Sequence, residues 1–322
     1  MLAAAREEER MMTRWIVGLV VGIGMLAAPL GMAMAQERSG ILRDRLRQRM
    51  AERMKEEPAP GAAEHAYGAD PLQTLDLWRP AAARAPAPLV LFVHGGGWKR
   101  GDKRNATGAE KVEHLLGRGY AVASINYRLI PQATVEQQAA DVAAAIAWVR
   151  ANAVRLGIDP SRIVLMGHSA GAHLVALIGT DPHYLAAVKL TPDAVRGVIA
   201  LDGAGYDVPR QIAASGGRFM RTLYTTAFGE DAARQRRLSP TFHAMAPNAP
   251  AFLILHVDRD DGKAQSEALG AALRAAGTPA EVKGFAGEKL RGHMEINRRL
   301  GDPAYPATAA VDAWLGRIVG RE

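Results

Sequence analysis

From about Pro88 onward the apolar residues of this chain fall into short runs separated by longer amphipathic stretches. A run of four to six apolar residues has the length of a strand buried on both faces, whereas apolar positions three and four apart mark one face of a helix. The pattern predicts strands at 73–78, 89–94, 121–126, 163–166, 197–201, 252–257 and 281–285, and helices near 109–118, 135–156, 170–179, 263–276 and 307–318. Such alternation builds a mainly parallel sheet covered by helices on both faces, the α/β class, and no internal repeat interrupts it. The segment 206–249 breaks the rhythm. It is polar and irregular, carries Gly216-Gly217, and is expected to form a small cap-like insertion over the sheet edge where a substrate would sit.

The start of the chain follows different rules. Arg14 precedes an apolar run from Trp15 to Leu30 and then Ala33-Met34-Ala35, the small-x-small form that signal peptidase cuts, here before Gln36. Residues 1–35 therefore read as a secretory signal. The run falls short of the roughly 20 residues that span a bilayer, which sets the cleaved signal ahead of an uncleaved membrane anchor. Either form places the remainder outside the cytoplasm, in the periplasm or the medium. Residues 36–57 carry Leu42, Leu46, Met50 and Met54 at i, i+4 spacing among many Arg and Glu, the signature of a thin-striped, charged helix that serves as a tether. Pro58 to Ala63 completes the linker, leaving 64–322 as the catalytic domain and confining any membrane contact to the N-terminal segment.

Composition narrows the chemistry. With 48% hydrophobic and 23% charged residues, global disorder is excluded. The chain has no Cys, so disulfides, thiolate nucleophiles and Cys-based zinc sites are excluded too. The net charge of +7 comes largely from Arg scattered through an Ala-rich sequence; no recognition module accompanies it, and no nucleic-acid partner is expected.

Two motifs carry the chemistry. The predicted strand 163–166 runs into Gly167-His168-Ser169-Ala170-Gly171 and then into a helix-forming run. In this strand, tight turn and helix, a serine is thrust out at the carboxyl end of the sheet, and the helix behind it turns free N–H groups toward the reacting centre. Ser169 is the expected nucleophile. Upstream, the strand 89–94 ends in His94-Gly95-Gly96-Gly97-Trp98, where consecutive glycines let backbone N–H groups converge on an anion. Gly96, Gly97 and Ala170 are the expected oxyanion donors. A hydrolase of this design places its acid and then its His after the Ser, so His293, the last His in the chain, is the expected base, in a loop after the last strand. His168 and His173, which flank Ser169, read as structural. For the acid, the strand 252–257 ends in Asp258-Arg259-Asp260-Asp261. Asp258, the first residue off the strand, is preferred, with Asp260 and then Asp261 as alternatives, and those left over would cap the following helix. No metal or organic cofactor is needed for this chemistry.

These residues resemble the α/β-hydrolase esterases with an HGGGW oxyanion motif, which include hormone-sensitive-lipase-like carboxylesterases, arylformamidases and bacterial feruloyl-esterase-like proteins. The resemblance covers about Leu75 to Leu315 and rests on Leu75-Asp76-Leu77-Trp78-Arg79-Pro80, His94 to Lys103, Asn126-Tyr127-Arg128-Leu129, Asp159-Pro160-Ser161-Arg162 with the nucleophile motif, Asp202 to Asp207, and Gly292 to Gly301. It implies the α/β-hydrolase fold, the triad Ser169, Asp258 and His293, and oxyanion donors at Gly96, Gly97 and Ala170. The family commonly reads His-Gly-x-x-Asp at the acid, and spacing from His256 points to Asp260, whereas spacing back from Gln265-Ser266 points to Asp258. The implied reaction is hydrolysis of a small-molecule carboxylic ester, with short or aromatic acyl groups, through an acyl-enzyme. Within the same chemistry an arylformamidase is the alternative, and a non-catalytic binding protein on the same fold is the alternative of a different class.

Overall fold

The computed structural model describes residues 59–81, 86–104, 107–245 and 247–320. The expected secretory signal at 1–35 and the charged helix at 36–57 lie outside the described residues. Among the described residues eight strands form one sheet: β1 (Ala63–Ala66), β2 (Thr74–Trp78), β3 (Ala87–Val93), β4 (Ala121–Ile125), β5 (Ile158–His168), β6 (Gly197–Leu201), β7 (Phe252–Asp258) and β8 (Ala280–Glu288). Their order is β1-β2-β4-β3-β5-β6-β7-β8, with the β1–β2 and β2–β4 pairs antiparallel and all the rest parallel. Among the described residues the helices of seven residues or more are α1 (Ala109–Gly117), α2 (Val135–Ala151), α3 (Ala170–Thr180), α4 (Val208–Ala214), α5 (Gly217–Phe228), α6 (Asp260–Ala275), α7 (Lys289–Arg298) and α8 (Pro306–Val319).

Strand β3 shows how the pattern becomes a core. All seven of its residues are buried, and successive side chains enter opposite layers. Leu89, Leu91 and Val93 join the apolar layer that holds Val142 and Ile146 of α2 and Leu174 of α3. Val90 and Phe92 join the other, with Val112 of α1 and Val311 and Trp314 of α8. A parallel sheet must be covered in this way on both sides, which is why its strands read as unbroken apolar runs.

Three elements depart from the expectations. The linker stretch ends in a strand: β1 pairs with β2, and the Trp78 indole N–H donates to the Pro60 carbonyl at 3.0 Å. Its sequence, Ala-Glu-His-Ala, has no apolar alternation because it is an exposed edge, held partly by Glu64, which meets Lys103 Nζ at 2.6 Å. The helix expected over 135–156 is two helices, since Asn152 turns its side-chain amide back onto the Trp148 carbonyl at 2.8 Å before the short turn Ala153–Leu156. The insertion after β6 is helical. It holds α4, α5 and the short helices Ala232–Arg237 and Pro240–His243, and Asp207 and Asp231 accept N-cap hydrogen bonds from the amides of Arg210 and Arg234.

Candidate active site

Ser169 stands between β5 and α3 with φ 55° and ψ −118°, a conformation that costs a non-glycine residue energy and recurs at working sites. The neighbouring sheet holds it there: the Ser169 N–H donates to the Leu201 carbonyl at the end of β6, at 3.0 Å. Both glycines of the motif are required by close approach. A Cβ at Gly167 would collide with the Gly171 carbonyl, and one at Gly171 would collide with the carbonyl of Val93 on β3.

The loop His94 to Trp98 passes directly in front of the serine. A Cβ at Gly95 would lie 3.0 Å from that of Ser169. Gly96 and Gly97 both adopt positive φ, 123° and 63°, which turns successive peptide N–H groups in a way side chains rarely allow. Trp98 pins the far end of the loop. It is 2% exposed, its carbonyl accepts from the Gln138 side chain at 2.7 Å, and its indole N–H donates to His173 Nδ1 at 3.3 Å. His173 in turn donates from Nε2 to the Leu238 carbonyl at 2.8 Å. Trp98 also meets Tyr224 and Phe228 of α5 edge-on, with ring centroids 6.2 and 4.7 Å away. The expected oxyanion loop and the insertion are therefore one packed unit, and Leu223 of α5 lies against Gly97, where an added Cβ would come within 2.9 Å of it.

His293 is brought to the serine as expected, with its Nε2 3.1 Å from Ser169 Oγ. It sits on α7, not in a loop. The segment Lys289–Arg298 is polar and contains Gly292, so its helix is stabilised by tertiary contacts more than by propensity. The carbonyl of His293 accepts from His168 Nε2 at 2.8 Å, and the two rings lie 4.6 Å apart, centroid to centroid. Burial, reinforced by the neighbouring His293, holds the His168 ring well below the ordinary histidine range, so it stays neutral and works as a fixed donor.

The carboxylate beside His293 is Asp202. Its Oδ2 lies 2.5 Å from His293 Nδ1, and the residue is fully buried. This corrects the expectation of Asp258, and of Asp260 and Asp261 behind it. Asp258 still belongs to β7, in register with Glu288 of β8, and is exposed. Arg259 alone separates β7 from α6, leaving no loop along which a carboxylate could turn back toward the histidine. Asp260 and Asp261 fall in the first turn of α6, where they complement the helix dipole, and Asp261 accepts from the Gln211 side chain at 3.1 Å.

Asp202 follows directly on β6, the strand next to β5 in the sheet, which places it beside Ser169. Its amide donates to the Leu255 carbonyl at 2.7 Å, and its Oδ1 accepts from the Val257 amide at 3.2 Å. Burial works to raise this carboxyl. The His293 hydrogen bond and the nearby Arg259 charge outweigh it, and the group lies below the usual carboxylate range. The sequence signal for Asp202 was a lone Asp after an apolar strand, in Leu201-Asp202-Gly203, which is no stronger than the signal for Asp258. A nucleophile aligned with a histidine whose far nitrogen faces a buried carboxylate can remove a proton from the serine and return it elsewhere. Among the described residues no group of three or more His, Asp or Glu is placed to hold a metal ion.

The chain is similar to known proteins along most of this architecture. It is 36% identical over 203 residues to esterase LipC of Mycobacterium tuberculosis, a match covering 60% of this chain and 50% of LipC. It is 31% identical over 262 residues to esterase LipQ of the same organism, covering 77% of this chain and 60% of LipQ. A match at 43% identity to a probable isoprenylcysteine alpha-carbonyl methylesterase of Oryza sativa covers 34% of this chain and 26% of that protein. The chain thus spans between a quarter and three fifths of the length of these relatives. Among solved structures, esterase B from Lactobacillus rhamnosus HN001 superposes with a TM-score of 0.67 at 24% identity, over 88% of this chain and 93% of that one. Thermogutta terrifontis esterase 2, phosphonylated by sarin, does so with a TM-score of 0.68 at 24% identity, over 81% and 96%. These likenesses establish the fold as that of an α/β-hydrolase. With the BD-FAE family model matching residues 75–273, most of the sheet and the whole helical insertion, the chain belongs to the BD-FAE family.

Proposed function

We propose that this chain is a serine carboxylic-ester hydrolase in which Ser169 is the nucleophile, His293 the general base and acid, and Asp202 the residue that orients the histidine. The observation that carries the reading is the position of the His293 ring, 3.1 Å from Ser169 Oγ on one side and 2.5 Å from a buried carboxylate on the other. Asp202 accepts a hydrogen bond from His293 Nδ1–H, which fixes the tautomer whose Nε2 lone pair faces the serine. The serine oxygen attacks the ester carbonyl as His293 takes its proton. The negative charge that develops on the carbonyl oxygen is met by the amides of Gly96, Gly97 and Ala170, each such donor being worth roughly 3 to 4 kcal/mol in comparable hydrolases. His293 then protonates the departing alcohol, and water, activated by the same ring, releases the acid and restores Ser169.

Leu223, standing against Gly97, walls the space next to the oxyanion loop. We propose short or aromatic acyl groups as the substrates. Turnover of p-nitrophenyl acetate with labelling of Ser169 by a fluorophosphonate is the expected result. If a folded protein shows neither, the alternative of a non-catalytic binding protein on the same fold replaces this one. We also propose export through the segment 1–35, which predicts that the protein made in a bacterial host appears in the periplasm with Gln36 as its first residue.

A further inference from the structure

The connection where the acid was expected carries a cation. Arg259, the single residue between β7 and α6, points its guanidinium across the end of the sheet at Asp202: Nη2 lies 3.4 Å from Asp202 Oδ2 and 3.3 Å from the Gly203 carbonyl, to which it donates. Its Nε faces Asp261 Oδ1 at 3.5 Å. The group is largely buried, with 17% of the side chain exposed. A second feature shows that room has been made for it. Gly262 lies in the first turn of α6, and a Cβ there would stand 2.8 Å from Arg259 Nη2 and 3.0 Å from Asp202 Oδ1, in the path of the pair.

We propose that Arg259 is a positioning residue of the site, one that holds the Asp202 carboxylate at its angle to His293 and, by sharing its charge, keeps the histidine unprotonated to lower pH than a carboxylate alone would. This inference rests on the roles assigned above to Asp202 and His293. The logic is electrostatic. A lone buried carboxylate stabilises the imidazolium form and raises the pKa of the base, and a cation bonded to that carboxylate offsets part of the effect. The other groups facing Asp202 are His293 from α7, His168 from β5, Tyr206 at the start of the insertion, Tyr224 of α5 and Tyr305 before α8. The tyrosines are pushed up by burial and stay uncharged, and His168 stays neutral; buried Lys111 of α1 acts on His168 and donates to Asn297 of α7 at 2.6 Å, while Arg259 is the cation set against the Asp202 carboxylate itself.

The test is a direct titration of the His293 ring by NMR in histidine-labelled protein, which needs no substrate and remains readable if the protein hydrolyses no ester. In Arg259→Met the ring should titrate about one pH unit higher than in the parent. In Arg259→Lys it should stay within a few tenths of a unit. Gly262→Ala, which keeps every charge but crowds the pair, should move it in the same direction as Arg259→Met, and serves alone if that variant does not fold. The acidic limb of the kcat/KM profile should shift with the ring. An unmoved ring in folded Arg259→Met or Gly262→Ala, or a shift in Arg259→Lys equal to that in Arg259→Met, overturns the proposal.

Discussion

At the scale of single residues, the site separates carboxylates that look alike in sequence. Asp202 and Asp258 each sit at the end of an apolar strand, yet one is fully buried against His293 and the other is exposed. Asp202→Asn should therefore lower kcat by roughly a thousandfold or more with little change in KM, because the ring loses the acceptor that fixes its tautomer. Asp258→Asn should leave kcat within about twofold, since exposed substitutions away from the chemistry change little. Steady-state kinetics on one ester decides both, and equal losses in the two variants would contradict the assignment. The meeting of Ser169 with His293 was legible because a motif and a place in the chain mark each of them. Asp202 was not, because nothing local to Leu201-Asp202-Gly203 says that β6 lies next to β5; only the order of the sheet does.

At the scale of elements, the strands and the long helices were legible because burial on one face or two imposes a period on the sequence. The misses share a physical cause. β1 is an exposed edge, α7 is polar, and the helices of the insertion run only four to twelve residues, so each is stabilised by neighbours that the local sequence does not name. The N-cap aspartates Asp207 and Asp231 were signals that could have found two of those helices. The insertion is tied to the loop His94 to Trp98 through the cluster of Trp98, His173, Tyr224 and Phe228. Trp98→Ala should cost roughly 3 to 5 kcal/mol of stability, the range for removing a large buried aromatic, and should also lower kcat by freeing the Gly96-Gly97 peptides. Denaturant unfolding and kinetics on the same preparation would show both losses, and a loss of stability with kcat intact would uncouple the cluster from the loop.

At the scale of the whole molecule, three buried histidines govern the response to acid. Burial lowers His94 and His173 to about 4, so both are neutral in the folded protein at pH 5, and it holds His168 well below the ordinary histidine range. In the unfolded chain each ring takes up a proton near pH 6.5. Below that pH the unfolded state binds more protons, and stability falls with pH at up to about 1.4 kcal/mol per pH unit for each ring until the folded-state values are reached. Asp202 acts later: its depressed carboxyl contributes stability above its unfolded value near 3.9, which is lost as pH falls through its folded value. Urea unfolding at pH 7 and pH 5.5 should show the histidine loss, and equal stabilities would contradict it.

The hydrogen bonds that run from the Ser169 amide to the Leu201 carbonyl, and from the Asp202 amide to the Leu255 carbonyl, extend the rungs of the parallel sheet into the site. The spacing of Ser169 and Asp202 is thus gauged by the pitch of neighbouring strands and not by the reach of a loop. A gauge of this kind has no partly open setting: it reads true until the strands part. Activity measured along a thermal ramp should accordingly hold to the edge of the unfolding transition and vanish with it, so that the inactivation and melting curves coincide. A fall in activity well below the melting temperature would place the weak point elsewhere, in α7 and the histidine it carries.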